Sequence, residues 1–600
     1  MSLRWGIILG ACMLVLAALM QAPQALRMRD QRYRGIPAHL NTDEYNYLPR
    51  VQEALSGRPG QAAEAVLGDP SPLPLQPALL EAAWGVLFSR TGWRAAAVMQ
   101  LADAIVPPLL FLALWLLFVS FGFTRGQALA GTLLFTALNL FGLNRPIHQR
   151  DSFLLVVLAL LFLTRAWRRS DGRDAPPFGF AQGKPGRPTN GVIYSAVGGT
   201  VLGLLVGIYF WSWTYAWAWW GLFLLWEGGE WLLKDRRGWR SSSRVLLAAG
   251  GVIGVIVAFP FLRQTVQMAQ HPLYEVLRFR SGLYSSRLPE SWIRSTLFLG
   301  MSAGLLGALW KRGTERRHFL PALLAVIAAF VVLNQQVMHG KVLFFSSHYL
   351  FPLIFAGVTC FLLSGVLFLQ IRRLQPPVHI LSTLRRLKPP VTWLLLSFCS
   401  SMIFLAGIAW DGRYIFHQWR VTEGNFSEQY LADLLPVLER LPRSRILSDQ
   451  QSSLFVAGHT RHDVLYSFYL KNVMISDEEF AERSCMTRLL QQPETRSLGQ
   501  VGLLHQEMFG RDPTLREKDI AFLTRICGRL DRDPAAAIEQ YGVQYILWNK
   551  AWAPQWNLSR AQVPLEQVAE GGVEGKRWEL WSLVGLGMTT DAPTTATSGS

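Results

Sequence analysis

Residues 96–121 read AAVMQLADAIVPPLLFLALWLLFVSF, and this stretch decides the class of protein. It contains a single charged side chain, Asp103. A helix needs roughly 20 apolar residues to cross the hydrocarbon core of a bilayer. The stretch is therefore predicted to be a transmembrane helix, with an acid near one end.

The rest of the chain is too apolar for a soluble protein of this size. Of its 600 residues, 50% are hydrophobic and 16% charged, whereas soluble domains carry about 25% charged residues. We predict about eleven transmembrane helices, and a further short helix at Pro77–Phe88 that lies in the interface. The predicted spans are Trp5–Ala22, Ala96–Phe121, Ala128–Leu143, Ser152–Trp167, Val192–Trp211, Trp213–Leu233, Val245–Leu262, Ser295–Trp310, Phe319–Leu333, Tyr349–Gln370 and Val391–Trp410.

The net charge of +17 raises the question of a nucleic-acid partner. Residues 1–410 hold 38 basic and 17 acidic side chains, whereas the chain from Asp411 onward holds 20 and 24. The excess of positive charge therefore lies in the half with the apolar runs. This distribution indicates membrane topology, with membrane lipids as surroundings, and argues against nucleic-acid binding.

Basic residues also predict the orientation, because short cytoplasmic loops of membrane proteins are rich in Lys and Arg. On one side of the eleven-span arrangement, the segments hold 22 basic and 4 acidic side chains. This predicts a multi-pass protein of the plasma (inner) membrane with a cytoplasmic N-terminus and an extracytoplasmic C-terminal domain. We expect the first span to be retained; the alternative is cleavage as a signal peptide.

The predicted fold is a polytopic α-helical membrane protein with a C-terminal extracytoplasmic α/β domain. The transmembrane domain is residues 1–410, with a long outer loop at 23–95 and a flexible cytoplasmic linker at 168–191; residues 411–587 form the α/β domain, and 588–600 a disordered tail. Helices are predicted at Tyr430–Leu441, Leu515–Arg529 and Pro534–Tyr541, and strands at Arg445–Ser448, Leu454–Ala457, Val543–Trp548 and Arg577–Val584. A disulfide between Cys485 and Cys527 is compatible with an external location.

Candidate chemistry lies in the predicted outer loops. The first loop contains Asp43 and Glu44, followed by Tyr47. Adjacent carboxylates outside a span can act as a general base or a metal ligand. The alternative is a solvated acidic pair in the first turn of a helix, where acids are favoured by the helix dipole.

The second outer loop is a short turn with Arg145, His148 and Asp151. Asp151 could join Asp43 in one site while the cations bind phosphate. Equally, Asp151 could cap the following helix while the arginines reach toward headgroups.

Two further outer segments carry cations next to aromatic residues. Because the planar guanidinium can bind a phosphate with two hydrogen bonds, such residues suit an anionic lipid headgroup. Asp103 is a further candidate, since acids within a span are functional by default unless they pair with an arginine. The cationic candidates are Arg278, Arg280 and Arg287, then Lys341 and His348.

An acidic pair directly after the first span, in a long loop with a horizontal helix, resembles the C-type superfamily of polytopic glycosyltransferases, which use lipid-phosphate-linked sugars. The superfamily includes O-mannosyltransferases, aminoarabinose transferases and oligosaccharyltransferases. Asp43, Glu44 and Tyr47 are similar to its loop motif, and Asp151 stands where many members carry a second acid. The resemblance covers about residues 1–410.

The resemblance implies a membrane enzyme that transfers a hexose or pentose from a polyprenyl-phosphate donor to a glycan, lipid or protein acceptor. Asp43 would be the general base, supported by Glu44 and Asp151. Tyr47, Arg145 and His148 would bind substrate, as would Arg278, Arg280, Arg287, Lys341 and His348, the cations among them contacting the lipid phosphate. No metal ligand is assigned; a divalent cation, Mg²⁺ or Mn²⁺, is the one cofactor that the superfamily leaves open.

One departure from the superfamily concerns the acceptor. The tail domain has no Trp-Trp-Asp motif of the kind found in oligosaccharyltransferases, which favours transfer of a single sugar. Two other classes of function stay open at this point: a transporter or flippase of a lipid-linked, amphiphilic substrate, and a non-catalytic envelope assembly protein. The absence of internal repeats argues against a transporter.

Overall fold

A computed structural model describes residues 3–37, 44–58, 77–144, 147–170, 189–234, 242–289, 291–310, 313–343, 346–373, 389–411, 420–495 and 503–584. Asp43, Arg145, the predicted tail and most of the predicted linker lie outside these residues. The described residues form two compact units. The first extends to Phe426, apart from Arg34–Ile36, and the second comprises Arg34–Ile36 and the chain from Ser427.

The first unit is helical. Its helices are α1 (Leu3–Met28), α2 (Glu44–Leu55), α3 (Leu79–Phe88), α4 (Ala95–Ser120), α5 (Arg125–Leu138), α6 (Leu140–Leu143), α7 (Ile147–Ser170), α8 (Thr189–Leu204), α9 (Phe210–Lys234), α10 (Ser242–Ala269), α11 (Tyr274–Arg280), α12 (Trp292–Leu309), α13 (Gly313–His318), α14 (Leu320–Leu333), α15 (Gln335–His339), α16 (Leu350–Arg373) and α17 (Pro389–Asp411). Two short strands, β1 (Leu283–Ser285) and β2 (Lys341–Leu343), pair antiparallel.

Seven helices in the described part of the chain are long and apolar enough to cross a membrane, which confirms a multi-pass membrane protein. The other four predicted spans are also helical, in α5, α7, α9 and α14. Of these, α5 and α14 have 14 residues each. A helix of that length rises about 21 Å, which is less than the hydrocarbon thickness of about 30 Å. The total of eleven spans therefore stays a prediction.

Two predicted spans have different ends in the structure. The predicted helix Ala128–Leu143 is interrupted, because α5 ends at Leu138 and Asn139 leaves the helical conformation. The predicted helix Val192–Trp211 also ends early, in a 3-10 turn at Leu205–Gly207. Gly207 lies directly against the ring of Phe261 in α10. The 3-10 turn that ends α8 therefore lies where the chain contacts α10.

Two helices of the first unit approach each other through glycine. Gly199 and Gly203 of α8 face Gly250 and Gly254 of α10; a Cβ atom on Gly199 would lie 2.2 Å from the Gly250 carbonyl oxygen, and one on Gly203 would lie 2.5 Å from that of Gly254. Small residues four apart let helix backbones pack closely in membranes. This contact therefore leaves no room for a side chain.

We expect Gly199→Ala to lower the thermal unfolding midpoint of the detergent-purified protein, because overpacking costs about 1–3 kcal/mol. Gly221→Ala in α9 is the matched control, since a Cβ there meets no atom within 4 Å. Equal midpoints for the two variants would contradict the close contact between α8 and α10.

The second unit is an α/β fold, as predicted. Its strands are β3 (Arg445–Ser448), β4 (Asp463–Val464), β5 (Tyr545–Asn549), β6 (Leu565–Val573) and β7 (Lys576–Leu583), and its helices are α18 (Leu434–Arg440), α19 (Gln450–His459), α20 (Asp477–Met486), α21 (Thr514–Leu530) and α22 (Pro534–Gln540). The strand order is β4-β3-β5-β7-β6. β3 is parallel to β4 and β5, whereas β7 is antiparallel to β5 and β6.

Both faces of this sheet are buried. Ile446 and Leu547 contribute to one apolar core, and the neighbouring residues Leu447 and Ile546 to another. Successive side chains of a strand point to opposite faces, so each strand supplies both cores. The sheet is therefore the middle layer of the unit.

The predicted strand Leu454–Ala457 is wrong, because these residues lie within α19. Asp449 caps this helix: its carboxylate accepts hydrogen bonds from the backbone N–H groups of Gln451 (2.9 Å) and Ser452 (3.1 Å). Burial raises the pKa of Asp449 above its ordinary value, against these hydrogen bonds. A run of four apolar residues does not distinguish a strand from a buried helix, and here the cap decides in favour of the helix.

The boundary between the units lies at Phe426, later than the predicted boundary at 411. The guanidinium of Arg32, which follows α1, lies 4.3 Å above the Phe426 ring. This cation–π contact lies within the first unit and joins Phe426 to the residues that follow α1. Hydropathy alone marks the end of a span and not the end of the unit that contains it.

Cys485 of α20 and Cys527 of α21 form a disulfide, which agrees with the expectation from sequence. The bond joins residues 42 apart. In the chain-entropy account, a cross-link stabilises mainly by restricting the unfolded chain, and removal of a native disulfide costs about 2–5 kcal/mol.

We expect the double variant Cys485→Ser/Cys527→Ser to melt at a lower temperature than the unmodified protein. Cys360→Ser is the comparison, since this thiol is free and lies in the first unit. The disulfide itself is checked by mass spectrometry of the unreduced protein. Recovery of both cysteines as free thiols in protein purified from the membrane would contradict the bond.

Candidate active site

Three helices of the first unit bring the acidic residues of the predicted site together. Asp103 lies in α4, Asp151 begins the second turn of α7, and Glu44 is the first residue of α2. The helix α4 is in contact with both α2 and α7. Asp43, the predicted base, directly precedes α2 and lies outside the described residues.

Arg150 is the centre of this acidic group. Its Nε atom donates to Asp151 Oδ1 at 2.8 Å, and its terminal nitrogen pairs with Asp103. The same side chain donates to the carbonyl oxygen of Leu143 at 3.2 Å. Arg150 is fully buried, so the two carboxylates share its single positive charge, and both need it because burial of an unpaired charge is costly.

Asp151 has a second partner, Trp84 of α3. The indole Nε1 donates to Asp151 Oδ2 at 2.9 Å. With one oxygen bound by Arg150 and the other by Trp84, the carboxylate has a fixed orientation. Its side chain is 5% exposed, whereas that of Asp103 is 18% exposed, so Asp103 is the more accessible acid of the pair.

Glu81, which the sequence analysis missed, forms a second buried ion group. Its Oε1 lies 2.7 Å from His148 Nε2 and 3.2 Å from Arg50 of α2. Both Glu81 and His148 are 0% exposed. Burial alone would raise the pKa of Glu81, but the neighbouring His148 and the charge of Arg50 lower it below its ordinary value of 4.5.

A sequence signal for Glu81 was present. The ten residues of α3 read LLEAAWGVLF, with Glu81 as the only charged residue. An acid in an otherwise apolar helix has to find a partner, because burying an unpaired charge is very costly. Glu81 and Trp84 are three residues apart and so share one face of the helix.

An aromatic row joins three of the predicted substrate-binding residues. The ring of Tyr47 lies 4.6 Å from that of His148, which lies 5.6 Å from the ring of Tyr209. The Tyr209 hydroxyl hydrogen-bonds to His348 Nδ1. Tyr47, His148 and His348 therefore belong to one continuous row of rings with Tyr209, in which Tyr47, His148 and Tyr209 are buried.

The predicted phosphate-binding cations lie in and next to α11 and the β1–β2 pair. Arg278 pairs with Glu275 at 2.6 Å, and Arg280 is fully buried. Arg287 is exposed and donates to the carbonyl oxygens of Val337 (3.1 Å) and Met338 (2.9 Å).

Lys341 begins β2 and is exposed as well. It lies close to Arg287, because a Cβ atom on the preceding residue, Gly340, would lie 3.7 Å from the Arg287 guanidinium. Arg287 and Lys341 are therefore exposed cations whose backbones lie close together.

The acids described here fit a divalent cation poorly. Glu81, Asp103 and Asp151 are each bound to Arg or His. Across the described part of the chain, no group of three or more His, Cys, Asp or Glu residues is placed to hold a metal ion. Asp43 is not among those residues.

The likeness of this chain to known proteins lies in structure and not in sequence. The sequence matches no protein-family model and no curated protein. Among solved structures, the chain is similar to ArnT from Cupriavidus metallidurans bound to undecaprenyl phosphate, with 13% identity, a TM-score of 0.47, and coverage of 98% of this chain and 99% of that one.

Two further structures align over most of this chain. The apo state of the same ArnT has 13% identity, a TM-score of 0.42, and coverage of 96% and 98%. Arabinofuranosyltransferase AftD from Mycobacteria has 14% identity, a TM-score of 0.44, and coverage of 97% of this chain and 40% of that one. This likeness does not assign an activity, which depends on the residues of the site.

We expect Glu81→Gln to destabilise the protein at neutral pH, because breaking a buried ion pair costs about 3–5 kcal/mol. A carboxylate whose pKa is lowered by folding stabilises the protein above its unfolded pKa and loses this contribution as the pH falls through the folded pKa. The difference in unfolding midpoint from the unmodified protein should therefore be largest at pH 7 and shrink below about pH 4.5.

The matched control for Glu81→Gln is Glu275→Gln. Glu275 also pairs with an arginine, but its side chain is 68% exposed, and exposed pairs contribute at most about 1 kcal/mol. If both variants lowered the unfolding midpoint by a similar amount, or if the effect of Glu81→Gln did not depend on pH, the Glu81 pair would not stabilise the fold.

Proposed function

We propose that the protein is a membrane glycosyltransferase that moves a sugar from a polyprenyl-phosphate donor to an acceptor at the extracytoplasmic face. One observation carries the proposal: Arg150 holds Asp103 and Asp151 together where α4 and α7 meet, and α2, which begins at Glu44, packs on α4. Acids that are far apart in the sequence thus share one site.

In the proposed reaction, Asp43 takes a proton from the acceptor nucleophile. The nucleophile then bonds to the anomeric carbon of the donor sugar, the bond from that carbon to the phosphate oxygen breaks, and polyprenyl phosphate leaves with the electron pair. A general base of this kind contributes about 10²–10⁴-fold to a rate. Glu44 and Asp151 support the base, and no step uses a metal.

The residues around the acids suit the two parts of such a donor, its lipid phosphate and its sugar. Exposed Arg287 and Lys341 are proposed to bind the lipid phosphate, since cations favour the charge that develops on the leaving group. Partly exposed His348 is proposed to contact the sugar, and the buried rings of Tyr47 and His148 are proposed to support that site from within. The proposed acceptor is a glycan, lipid or protein of the cell envelope.

We expect Asp43→Asn to reduce transfer about 10²–10⁴-fold, because the amide cannot accept the proton. Transfer is measured with detergent-purified protein and radiolabelled hexose and pentose polyprenyl phosphates, as label leaving the donor lipid. Asp30→Asn is the matched control: Asp30 follows the same first helix and pairs with Arg32 at 2.8 Å on the surface.

Full activity of the Asp43→Asn protein would remove Asp43 as the base. Absence of transfer from any donor by the unmodified protein, together with movement of a lipid-linked sugar across proteoliposome membranes, would identify a flippase instead. The proposal survives only if the unmodified protein and the Asp30→Asn protein both transfer sugar.

A further inference from the structure

The second unit is wound in two directions from its central strand, β3. The chain runs from β3 through α19 to β4 on one side, and then returns past β3 to β5 on the other side. All three strands are parallel. Phe455 of α19 belongs to the apolar core on one face of the sheet, and Ile538 of α22 to the core on the opposite face. In sheets of this kind, ligands bind outside the carboxyl ends of the strands where the winding changes direction, here β3 and β5.

A chain of buried hydrogen bonds ties the carboxyl ends of β3 and β5 together. The side-chain nitrogen of Asn549, the last residue of β5, donates to the Ser452 hydroxyl at 3.0 Å. This hydroxyl donates in turn to the carboxylate of Asp449, the residue that follows β3, at 2.5 Å. The Tyr430 hydroxyl donates to the side-chain oxygen of Asn549 at 2.8 Å. All four side chains are at least nine-tenths buried, so the network holds the two strand ends in one arrangement.

Residues beside this buried network are open to solvent. Trp552, which follows β5, is half-buried, and its ring lies 5.9 Å from that of Tyr430. Gln451, in the first turn of α19, is exposed. Because its neighbour Ser452 is hydrogen-bonded to Asn549, the amide of one segment and the indole of the other lie at the same edge of the sheet.

The charges at this edge disfavour an anionic ligand. The N-terminus of a helix commonly binds phosphate, but the carboxylate of Asp449 already accepts the N–H groups of Gln451 and Ser452 at the start of α19. The ammonium group of Lys550, which follows β5, is paired with Glu579. The accessible groups are an indole ring and a neutral amide. An indole offers an apolar face and an amide both donates and accepts hydrogen bonds, so together they suit a neutral sugar.

We propose that the carboxyl ends of β3 and β5 form a binding site for a neutral glycan, in which Trp552 stacks on a sugar ring and Gln451 hydrogen-bonds to sugar hydroxyls. The buried network of Tyr430, Asn549 and Ser452 holds these two residues in place. Within the proposed function, the bound glycan is the acceptor. This assignment as acceptor rests on the proposed function, whereas the binding of a glycan does not.

Glycan binding is measured first, with full-length protein in nanodiscs and by saturation-transfer NMR. The probes are neutral gluco-, manno- and arabino-oligosaccharides in both anomeric linkages, and oligogalacturonate of similar length is the anionic comparison. We expect saturation transfer to at least one neutral probe and none to oligogalacturonate. Absence of transfer to every neutral probe, or stronger transfer to oligogalacturonate, would overturn the proposed site. Neither result needs any enzyme activity.

Two pairs of variants locate the bound glycan. Trp552→Ala should weaken binding about tenfold, whereas Trp552→Phe keeps a ring and should retain it. Gln451→Ala should also weaken binding, and its matched control is Gln567→Ala, an exposed position on the edge strand β6. Unfolding midpoints within a few degrees of the unmodified protein show that each variant is folded. Equal losses for the two Trp552 variants, or for Gln451→Ala and Gln567→Ala, would refute binding at this edge.

The assignment as acceptor is tested by transfer of radiolabelled sugar from the polyprenyl-phosphate donor to the neutral oligosaccharide that binds. Gln451→Ala and Trp552→Ala should raise the KM for this acceptor, while kcat and the KM for the donor stay unchanged. Transfer with an unchanged acceptor KM in both variants would refute the assignment. Binding that depends on Trp552, together with no transfer from any donor by the unmodified protein, would support the glycan site and refute the proposed function.

Discussion

The fold of this protein depends on one constraint: each charged side chain that is buried in the apolar first unit needs a partner of opposite charge. Taking an ion out of water costs several kcal/mol even in real proteins, and the cost is met only by a well-placed opposite charge. Glu81 has Arg50 and His148, and Asp103 and Asp151 share Arg150. Because the partners come from α2, α3, α4 and α7, the ion groups also decide how those helices meet.

The buried and the exposed residues of the helix α3 differ in character. Its inward residues complete the ion groups, and its outward residues are aliphatic. In a water-soluble protein this pattern would expose apolar surface and bury a charge. In this chain, Arg50 and His148 are the partners of Glu81, whereas Val86 and Leu87 stay exposed.

Much of the fold could be predicted, because long apolar runs have few alternatives to a helix in a bilayer. All eleven predicted spans are helical, and the predicted strands at β3, β5 and β7 are confirmed. Short segments were less predictable. Asn139 ends a helix that hydropathy continues, and Leu454–Ala457 is a helix because Asp449 caps it. The second outcome depends on one polar contact, the Asp449 cap, which hydrophobicity does not show, and hydropathy does not mark the break at Asn139 either.

The residues of the candidate site also fall into two groups: those that the sequence predicted and those that only the structure revealed. The loop with Asp43 and Glu44, the turn with His148 and Asp151, and the acid Asp103 were all visible in the sequence, since charged residues beside apolar runs are conspicuous. Glu81 and Trp84 were not among the predicted residues: a single acid in a short apolar helix signals that it needs a partner, but it does not tell which residue the partner is. Their roles depend on which side chains approach in space.

The sequence by itself determined a membrane protein, its helical segments and the separate α/β unit, because apolar length and residue alternation act locally along the chain. Only the tertiary structure decided that Arg150 joins Asp103 to Asp151, that Trp84 orients Asp151, and that Glu81 closes on His148 and Arg50. The physical reason is the range of the interactions. Ion pairs and hydrogen bonds act over a few ångströms in space between residues far apart in the sequence, and burial makes them strong.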